Sequence, residues 1–343
     1  MRLIHCSDIH LDIPFGDILT QEKSATRKQE IISAFTAMVD FGASEGVRGI
    51  LITGGMIDAE HISRHTIDMV YKTMRNHPDI LFILLPATSY ETAYFSAEKN
   101  LPENFRIFNE LDKKITIDDV DIYGVYDASK LPLLDEKQTN IVIASNITQL
   151  RGFEDRGIAY LGIGLERTYN HGDLIGGGYY CTPGSLEALT FKESGKKGFI
   201  ELYISRGRVS PVFVRSGKRL CYEVDVDITG AKNVDEVADN ARHGLSLQKG
   251  INGAAMVHVN LVGRMDLDHI IDDKLLQKTL SREYFAVLVT DQEVDFDITV
   301  DGITENTLRE RFIKRVSEGN ESLELKKEII RAGITAISGG DVF

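Results

Sequence analysis

Asp8 and His10 stand two residues apart, directly after a short apolar run formed by Leu3, Ile4 and Cys6. The run is brief and bounded by polar residues, which predicts a buried strand. Side chains that follow such a strand lie at its carboxyl end, the edge at which open α/β sheets bind ligands. A carboxylate and an imidazole at this spacing could hold one divalent cation, such as Zn, Mn or Fe. The alternative is a structural pair, in which Asp8 orients the imidazole of His10.

Alternating strand and helix patterns follow this first loop. Residues 27–44 and 63–75 carry apolar side chains at helical spacing, which predicts helices with one buried face. Short apolar runs at 49–53 and 80–85 predict two more buried strands, and the first of these ends at a second loop, residues 54–58. This order of strands and helices predicts right-handed crossovers and a parallel sheet.

The pattern becomes richer in strands after the third strand. Residues 115–127 alternate around Asp118 and Asp119, a turn signal, and predict a hairpin. Asn170, His171 and Gly172 also form a turn signal. Further strands are predicted at 140–144 and 159–161, and antiparallel strands at 179–182, 198–204 and 209–215.

Three domains are expected, with bounds 1–215, 219–300 and 301–343. Residues 216–219 are expected to be a linker, and the basic pairs Lys196-Lys197 and Lys218-Arg219 are expected in solvated turns, with a small DNA-facing patch as the alternative. The second domain is expected to be a small α+β domain with strands at 221–228, 254–262 and 284–289 and a helix at 234–245. The third is a tail with two short amphipathic helices, at 305–316 and 323–332.

The chain of 343 residues has a net charge of −13. Proteins that bind nucleic acid unaided are usually basic, so we expect DNA contact only through a partner or a local patch. The acidity also fits simple solubility. No apolar run approaches the roughly 18 residues of a membrane span, so no membrane association is expected. Three separated cysteines without a C-x-x-C pair, and a chain that begins in a strand, predict a cytoplasmic protein.

Six motifs occur in a recognisable order. The first loop reads Ser7-Asp8-Ile9-His10-Leu11, the second Gly54-Gly55-Met56-Ile57-Asp58 and the third Pro86-Ala87-Thr88-Ser89-Tyr90. Ser145 then ends a strand, and Leu161-Gly162-Ile163-Gly164-Leu165 and Thr182-Pro183-Gly184-Ser185 follow. In this order the chain resembles calcineurin-like metallophosphoesterases of the SbcD nuclease type, and in particular their YhaO-like branch. The resemblance implies an α/β/α sandwich with a small α+β capping domain and short C-terminal helices.

The same resemblance implies a two-cation site whose ligands are mostly missing. In the family the first metal is bound by the Asp and His of the first loop, the Asp of G-D in the second loop and the second His of G-H-x-H. The G-D Asp also bridges to the second metal. Of these ligands only Asp8 and His10 remain, and none of the usual ligands of the second metal is left. The remaining positions of this vestigial site are Gly55, Asp58, Thr88, Ser89, Ser145, Ile163 and Leu165. We therefore expect no cofactor, or at most a single Mn, Zn or Fe ion on Asp8 and His10, and no catalytic residue.

Other residues could restore a ligand set. His61 and His65 lie four apart near the start of the second helix, where they form either a metal-binding pair or a solvated stripe. Glu91 could reach the site from the third loop, or it is a surface carboxylate. His5 lies inside the first strand and is expected to be a core histidine with satisfied hydrogen bonds.

Three functions remain open at this stage. The first is a catalytically degenerate SbcD-like subunit in DNA end processing, which by resemblance would form a homodimer and bind an SbcC-like coiled-coil ATPase through its C-terminal segment. The second is an active metal-dependent phosphodiesterase or exonuclease with a non-standard, one-cation site. The third is a binding module that serves neither DNA nor an ATPase.

Overall fold

The predicted N-terminal strand is present as β1 (Arg2–Cys6) in a computed structural model that describes residues 1–109, 113–145, 150–265, 271–296 and 307–337. These residues divide into two compact units, one within Met1–Leu220 and one within Cys221–Phe343, and each is described by itself. After β1 the first unit continues with α1 (Gln21–Ser44), β2 (Gly49–Ile52), α2 (Arg64–Asn76), β3 (Leu81–Leu84), α3 (Ser89–Ala97), β4 (Phe105–Ile107), β5 (Lys114–Ile117), β6 (Val120–Val125), β7 (Thr139–Ala144), β8 (Tyr160–Ile163), β9 (Asn170–Asp173), β10 (Tyr179–Thr182), β11 (Gly198–Ser205) and β12 (Arg208–Arg215).

The first sheet has the strand order β12-β11-β1-β2-β3-β4. Strands β1 to β4 are parallel to one another, which confirms the predicted parallel core, while β11 is antiparallel to both β1 and β12. The carboxyl ends of β1, β2 and β3 therefore meet at one edge. The first three loops of the chain lie along this edge.

The second sheet has the order β5-β6-β7-β8-β10-β9. The hairpin predicted around Asp118 and Asp119 is confirmed, since β5 and β6 pair antiparallel on either side of these residues. The turn predicted at Asn170, His171 and Gly172 was wrong, because these residues lie in β9. Pairing with β10 extends this segment although its sequence is typical of a turn. The antiparallel strand predicted at 179–182 is present as β10, which is antiparallel to β9 but parallel to its other neighbour, β8.

One apolar core lies between the two sheets. It joins side chains of the first sheet, such as Leu51 and Ile83, to side chains of the second, such as Ile122 and Ile141. Helix α1 packs on the first sheet, and its Phe41 ring lies 5.5 Å from the ring of Phe199 in β11. Loops and a short 3₁₀ turn, Ala128–Lys130, pack on the second sheet. Of the α/β/α sandwich expected from the resemblance, the two packed sheets and the helical layer on the first sheet are confirmed, and the described residues that cover the second sheet are these loops and the 3₁₀ turn.

Residues 216–219, expected to be a linker, are instead bound along the first unit. The nitrogens of Ser216 and Gly217 both donate to the carbonyl oxygen of Lys197. Lys197 and Arg219 were expected in solvated turns, and this was wrong for both: Lys197 is fully buried, and Arg219 binds the carboxylate of Glu30. Short-range sequence patterns do not reveal such partners because they come from distant parts of the chain.

In the second unit, strands and helices alternate: β13 (Cys221–Asp227), α4 (Val234–Ser246), β14 (Met256–Met265), α5 (Asp273–Leu280), β15 (Ala286–Phe296), α6 (Leu308–Ser317) and α7 (Leu323–Ile337). The three strands form one parallel sheet in chain order. Ile313 of α6 and Ile330 of α7 are buried in the same core as α4 and α5. No helix in the described ranges is long and apolar enough to cross a membrane.

Candidate functional site

The first loop runs alongside the second at the edge formed by β1 and β2. The backbone nitrogens of Asp8 and His10 donate to the carbonyl oxygens of Gly54 and Gly55, at 3.1 and 2.7 Å. These bonds continue the parallel pairing of the two strands beyond their ends. The first and second loops therefore lie side by side at the carboxyl edge of the sheet, as expected.

Asp8 and His10 form a close pair. Oδ1 of Asp8 lies 3.5 Å from Nε2 of His10, and the Asp8 side chain is almost fully buried while the imidazole is partly exposed. The backbone at both residues has positive φ, 50° and 47°, and Asp12 follows with 62°. Among the described residues, no donor reaches the buried Oδ2 atom of Asp8. The pair thus contains one carboxylate oxygen that faces inward without a hydrogen bond from this part of the chain.

Gly55 lies directly against this pair. A Cβ atom built on Gly55 would lie 3.0 Å from Nε2 of His10 and 3.4 Å from Oδ1 of Asp8, and the backbone φ there is +61°. A side chain at this position would thus project toward both residues. This is where the resemblance places the bridging carboxylate, and glycine supplies no ligand atom.

The third loop leads into a helix that the sequence analysis did not predict. Thr88 is the N-cap of α3, where its side chain accepts a hydrogen bond from the Glu91 nitrogen, and Ser89 is the first helical residue. Both side chains are exposed. Thr88 and Glu91 stand at the T-x-x-E spacing that often begins a helix, and this signal could have revealed α3.

Glu91 is buried, so the expectation of a surface carboxylate was wrong. Its Oε1 accepts hydrogen bonds from the nitrogens of Met56 and Ile57, and its Oε2 accepts one of 2.7 Å from the nitrogen of Ala87. Burial raises the pKa of Glu91 above its usual value, although these backbone bonds act in the opposite direction. Both oxygens of the carboxylate accept hydrogen bonds from the backbone of the second and third loops. Glu91 therefore holds these two loops in place.

The second sheet contributes Ser145, Ile163 and Leu165. Ser145 directly follows β7 and is fully buried, Ile163 is the buried last residue of β8, and Leu165 has a positive φ of 64°. A Cβ atom on Gly164 would overlap the carbonyl oxygen of Thr53, so the end of β8 touches the end of β2. The predicted positions of both sheets therefore lie along one edge of the sandwich, where β2 and β8 end, and we call this edge the rim. Ser145, Ile163 and Leu165 bring no carboxylate, imidazole or thiolate to it.

Of the two alternatives for His61 and His65, the metal-binding pair on one helical face is contradicted, and both side chains are exposed. Helix α2 begins at Arg64 after the N-cap Ser63, so His61 precedes the helix and does not share a face with His65. Nδ1 of His61 lies 2.8 Å from Oδ1 of Asp58, which ties both side chains to each other. His65 is exposed at the helix start.

His5 is a satisfied core histidine, as predicted. It is fully buried, with Nδ1 at 2.7 Å from the Tyr160 hydroxyl and Nε2 at 2.8 Å from the Thr53 hydroxyl. Burial lowers the pKa of His5 to about 3. This neutral imidazole joins β1 and β2 of the first sheet to β8 of the second, beneath the rim.

The residues present do not fit a two-cation centre. Such a centre needs a carboxylate between its ions and three or four protein ligands for each ion. In the described ranges, no group of three or more His, Cys, Asp or Glu side chains is arranged to hold a metal ion. Of the ligand side chains that the family uses, only Asp8 and His10 are present.

Two curated proteins are similar in sequence. The chain is 24% identical over 148 residues to the DNA double-strand break repair protein Mre11 of Sulfolobus acidocaldarius, which covers 40% of this chain and 36% of that protein. It is 22% identical over 274 residues to the uncharacterized metallophosphoesterase YhaO of Bacillus subtilis, covering 68% of this chain and 65% of that protein. The chain thus matches less than two thirds of the length of either relative. No protein-family model matches it.

Solved structures show weak overall similarity. The protein TT1561 of Thermus thermophilus has 10% identity and a TM-score of 0.40, covering 62% of this chain and 99% of that one. The Escherichia coli phosphoesterase Yfce has 10% identity and a TM-score of 0.31, covering 59% of this chain and 88% of that one. The order of the strands and of the loops, together with the sequence similarity to these two relatives, fits a calcineurin-like α/β sandwich.

Proposed function

We propose that the chain is a catalytically degenerate, SbcD-like subunit in DNA end processing, which keeps the phosphoesterase scaffold without a working two-cation centre. The observation that carries this proposal is Gly55. It lies against Asp8 and His10 and has no side chain that could bind a metal. By resemblance, this is the position of the bridging carboxylate.

The chemistry of the family depends on that carboxylate. Two cations clamp a phosphate, activate a water molecule and stabilise the leaving oxygen. Without an anion between them, two dications a few ångströms apart repel each other strongly. A site with Asp8 and His10 as its only side-chain ligands lacks the coordination that catalytic metal sites use.

The role that remains is binding of partners. By resemblance these would be an SbcC-like coiled-coil ATPase and a second copy of the chain, with DNA reached through the partner because the net charge is −13. The exposed leucines Leu308 and Leu325 on α6 and α7 are the candidate contacts for the ATPase. The three cysteines are buried thiols, which supports a reducing, cytoplasmic location.

A one-cation phosphodiesterase or exonuclease is the second candidate. The buried Oδ2 of Asp8, which has no donor among the described residues, is the observation that favours it, because a cation would satisfy this atom. His61 would not assist, since it is paired with Asp58.

A nuclease assay separates the two candidates. The full chain is incubated with Mn²⁺ and end-labelled single- and double-stranded DNA, beside an Asp8→Asn variant, and its metal content is measured by elemental analysis. The proposal expects no turnover above the buffer control and no difference between the proteins. Mn²⁺-dependent cleavage that disappears in Asp8→Asn would establish the one-cation enzyme.

Binding of the ATPase is tested separately. The full chain is used to capture a purified coiled-coil ATPase from the same genome, with Leu308→Glu and Leu325→Glu as test variants. Leu247→Glu serves as the matched control because Leu247 is an exposed leucine at the end of α4. The proposal expects capture by the wild type and the control, and weaker capture by the test variants. Equal capture by all four proteins, or none, contradicts the assigned surface.

A further inference from the structure

Four charged side chains from three distant parts of the first unit form a buried cluster. Arg27 and Glu30 lie on α1, Glu187 lies between β10 and β11, and Arg219 follows β12. Arg27 is fully buried, and the two carboxylates are nearly so. Buried charges are costly unless they are paired, so these groups depend on one another.

Arg27 connects the two carboxylates. Its guanidinium donates to Oε2 of Glu30 and, at 3.0 Å, to Oε2 of Glu187. A third bond of 2.8 Å goes to the carbonyl oxygen of Ala188. Arg27 thereby holds α1 to the segment before β11.

Arg219 closes the cluster from the other side. Its Nε and Nη2 atoms donate to Oε2 and Oε1 of Glu30, at 2.8 and 2.7 Å, in a bidentate arrangement that fixes the orientation of the guanidinium. We call residues 216–219 the strap. Within it, the backbone N–H of Lys218 donates a hydrogen bond to Oε1 of Glu187. Both carboxylates of the cluster thus bind the strap.

The start of the strap is held by backbone contacts. Ser216 and Gly217 donate to the carbonyl oxygen of Lys197, and the Ser216 hydroxyl donates a bond of 2.9 Å to the carbonyl oxygen of Leu186. A Cβ atom on Gly217 would lie only 2.6 Å from Cβ of Lys197, so the strap lies directly on the beginning of β11. All four residues of the strap are therefore hydrogen-bonded to other parts of the first unit.

We infer that residues 216–219 are a latched strap, and that the buried ion cluster is the latch whose release lets the strap open as one step while the first unit stays folded. The last latched residue is Arg219, one position before the end of the first unit at Leu220. This device is independent of any chemistry at the rim.

Limited proteolysis tests the latch, because trypsin cuts after Lys218 and Arg219 but needs several locally unfolded residues to do so. The full chain is digested under native conditions, and the rate of cleavage at these two bonds is followed by intact mass. Glu30→Gln removes the charge that binds Arg219 and keeps both cleavage sites. Arg219→Lys keeps a cleavage site and loses the bidentate pair. Glu22→Gln is the control, since Glu22 is exposed on the same helix.

The latch predicts slow cleavage of the wild type and of Glu22→Gln, and cleavage at least about tenfold faster in Glu30→Gln and in Arg219→Lys. Hydrogen exchange measured on the same proteins distinguishes local opening from unfolding. The strap should exchange faster in both latch variants, while β1 stays as protected as in the wild type. Rapid cleavage of the wild type, a change of less than about twofold in the variants, or loss of protection in β1 together with the strap would each overturn the inference.

Discussion

Oε1 of Glu91 lies 2.7 Å from the backbone nitrogen of Met56, so one buried carboxylate ties the third loop to the second. The other oxygen of the same carboxylate accepts from Ala87. The second loop carries Gly55, which lies against Asp8 and His10. Glu91 thus supports the rim from beneath by hydrogen bonds to backbone, without contributing to it as a ligand.

Replacing Glu91 should destabilise the first unit. In Glu91→Gln an amide NH₂ replaces one acceptor oxygen and leaves a backbone N–H without a partner. The expected loss in the free energy of unfolding is about 2 kcal/mol, measured by urea denaturation. Thr92→Ala is the control, because Thr92 is the exposed neighbour on the same helix, and it should change stability by less than about 0.5 kcal/mol. Equal stability of the two variants would show that the carboxylate bonds contribute little.

Acid should destabilise the protein partly through His5. Its folded-state pKa is about 3, below the value of about 6.5 in an unfolded chain, so between these values only the unfolded state binds the proton. Stability contributed by the neutral imidazole is therefore complete above about pH 6.5 and falls by about 1.4 kcal/mol per pH unit toward pH 3.

Comparison with His5→Gln isolates this contribution. Urea denaturation at about pH 6.5 and about pH 5 should show a drop in the free energy of unfolding that is about 2 kcal/mol larger for the wild type than for the variant. The carboxyl groups titrate in both proteins, so they cancel in the difference. Parallel pH profiles would mean that His5 is accessible to protons in the folded state.

Gly55→Asp should create a third ligand beside Asp8 and His10. Asp and Asn tolerate positive φ better than most other residues, but the new Cβ atom would also lie 3.1 Å from Cα of Asp8, so we expect the substitution to cost about 2 kcal/mol. We expect Mn²⁺ at about 100 times its dissociation constant to stabilise the variant by about 2.7 kcal/mol, measured as an increase in unfolding free energy.

Two proteins control for the added carboxylate. Gly55→Asn has the same shape and the same backbone conformation without the charge, and the double variant Asp8→Asn with Gly55→Asp lacks one of the three ligands. Mn²⁺ should stabilise neither of these proteins as much as it stabilises Gly55→Asp. An equal effect of Mn²⁺ on Gly55→Asn would indicate binding elsewhere on this acidic protein.

Gly164→Ala should prevent the two sheets from closing at the rim. Its Cβ atom would overlap the Thr53 carbonyl oxygen, which is backbone and cannot move aside cheaply. We expect a loss of more than about 4 kcal/mol in the free energy of unfolding, or no folded protein, by circular dichroism and urea denaturation. Glu166→Ala, an exposed change two residues away, should unfold like the wild type. Normal stability of Gly164→Ala would show that the ends of β2 and β8 separate easily.

The sequence predicts the parts of this fold that local patterns encode. The parallel strands β1 to β3 follow from short apolar runs, and the meeting of the first two loops follows from their places at the strand ends. The burial of Glu91 and Arg219 could not be predicted in this way, because their partners, Met56 and Glu30, lie far away in sequence. The metal-binding alternative for His61 and His65 fails for a reason that the sequence already contained: the helix predicted at 63–75 begins after His61, and Ser63 is its N-cap.

The left-handed backbone at Asp8, His10 and Asp12 also affects how mutagenesis of the first loop is interpreted. Alanine is poorly suited to positive φ, so an alanine scan there would report conformational strain together with the lost functional group. Asparagine adopts such angles more readily and is the better probe of the carboxylates, while glycine would separate the effect of the backbone from that of the imidazole. A phenotype seen with alanine alone would describe the shape of the turn as much as its chemistry.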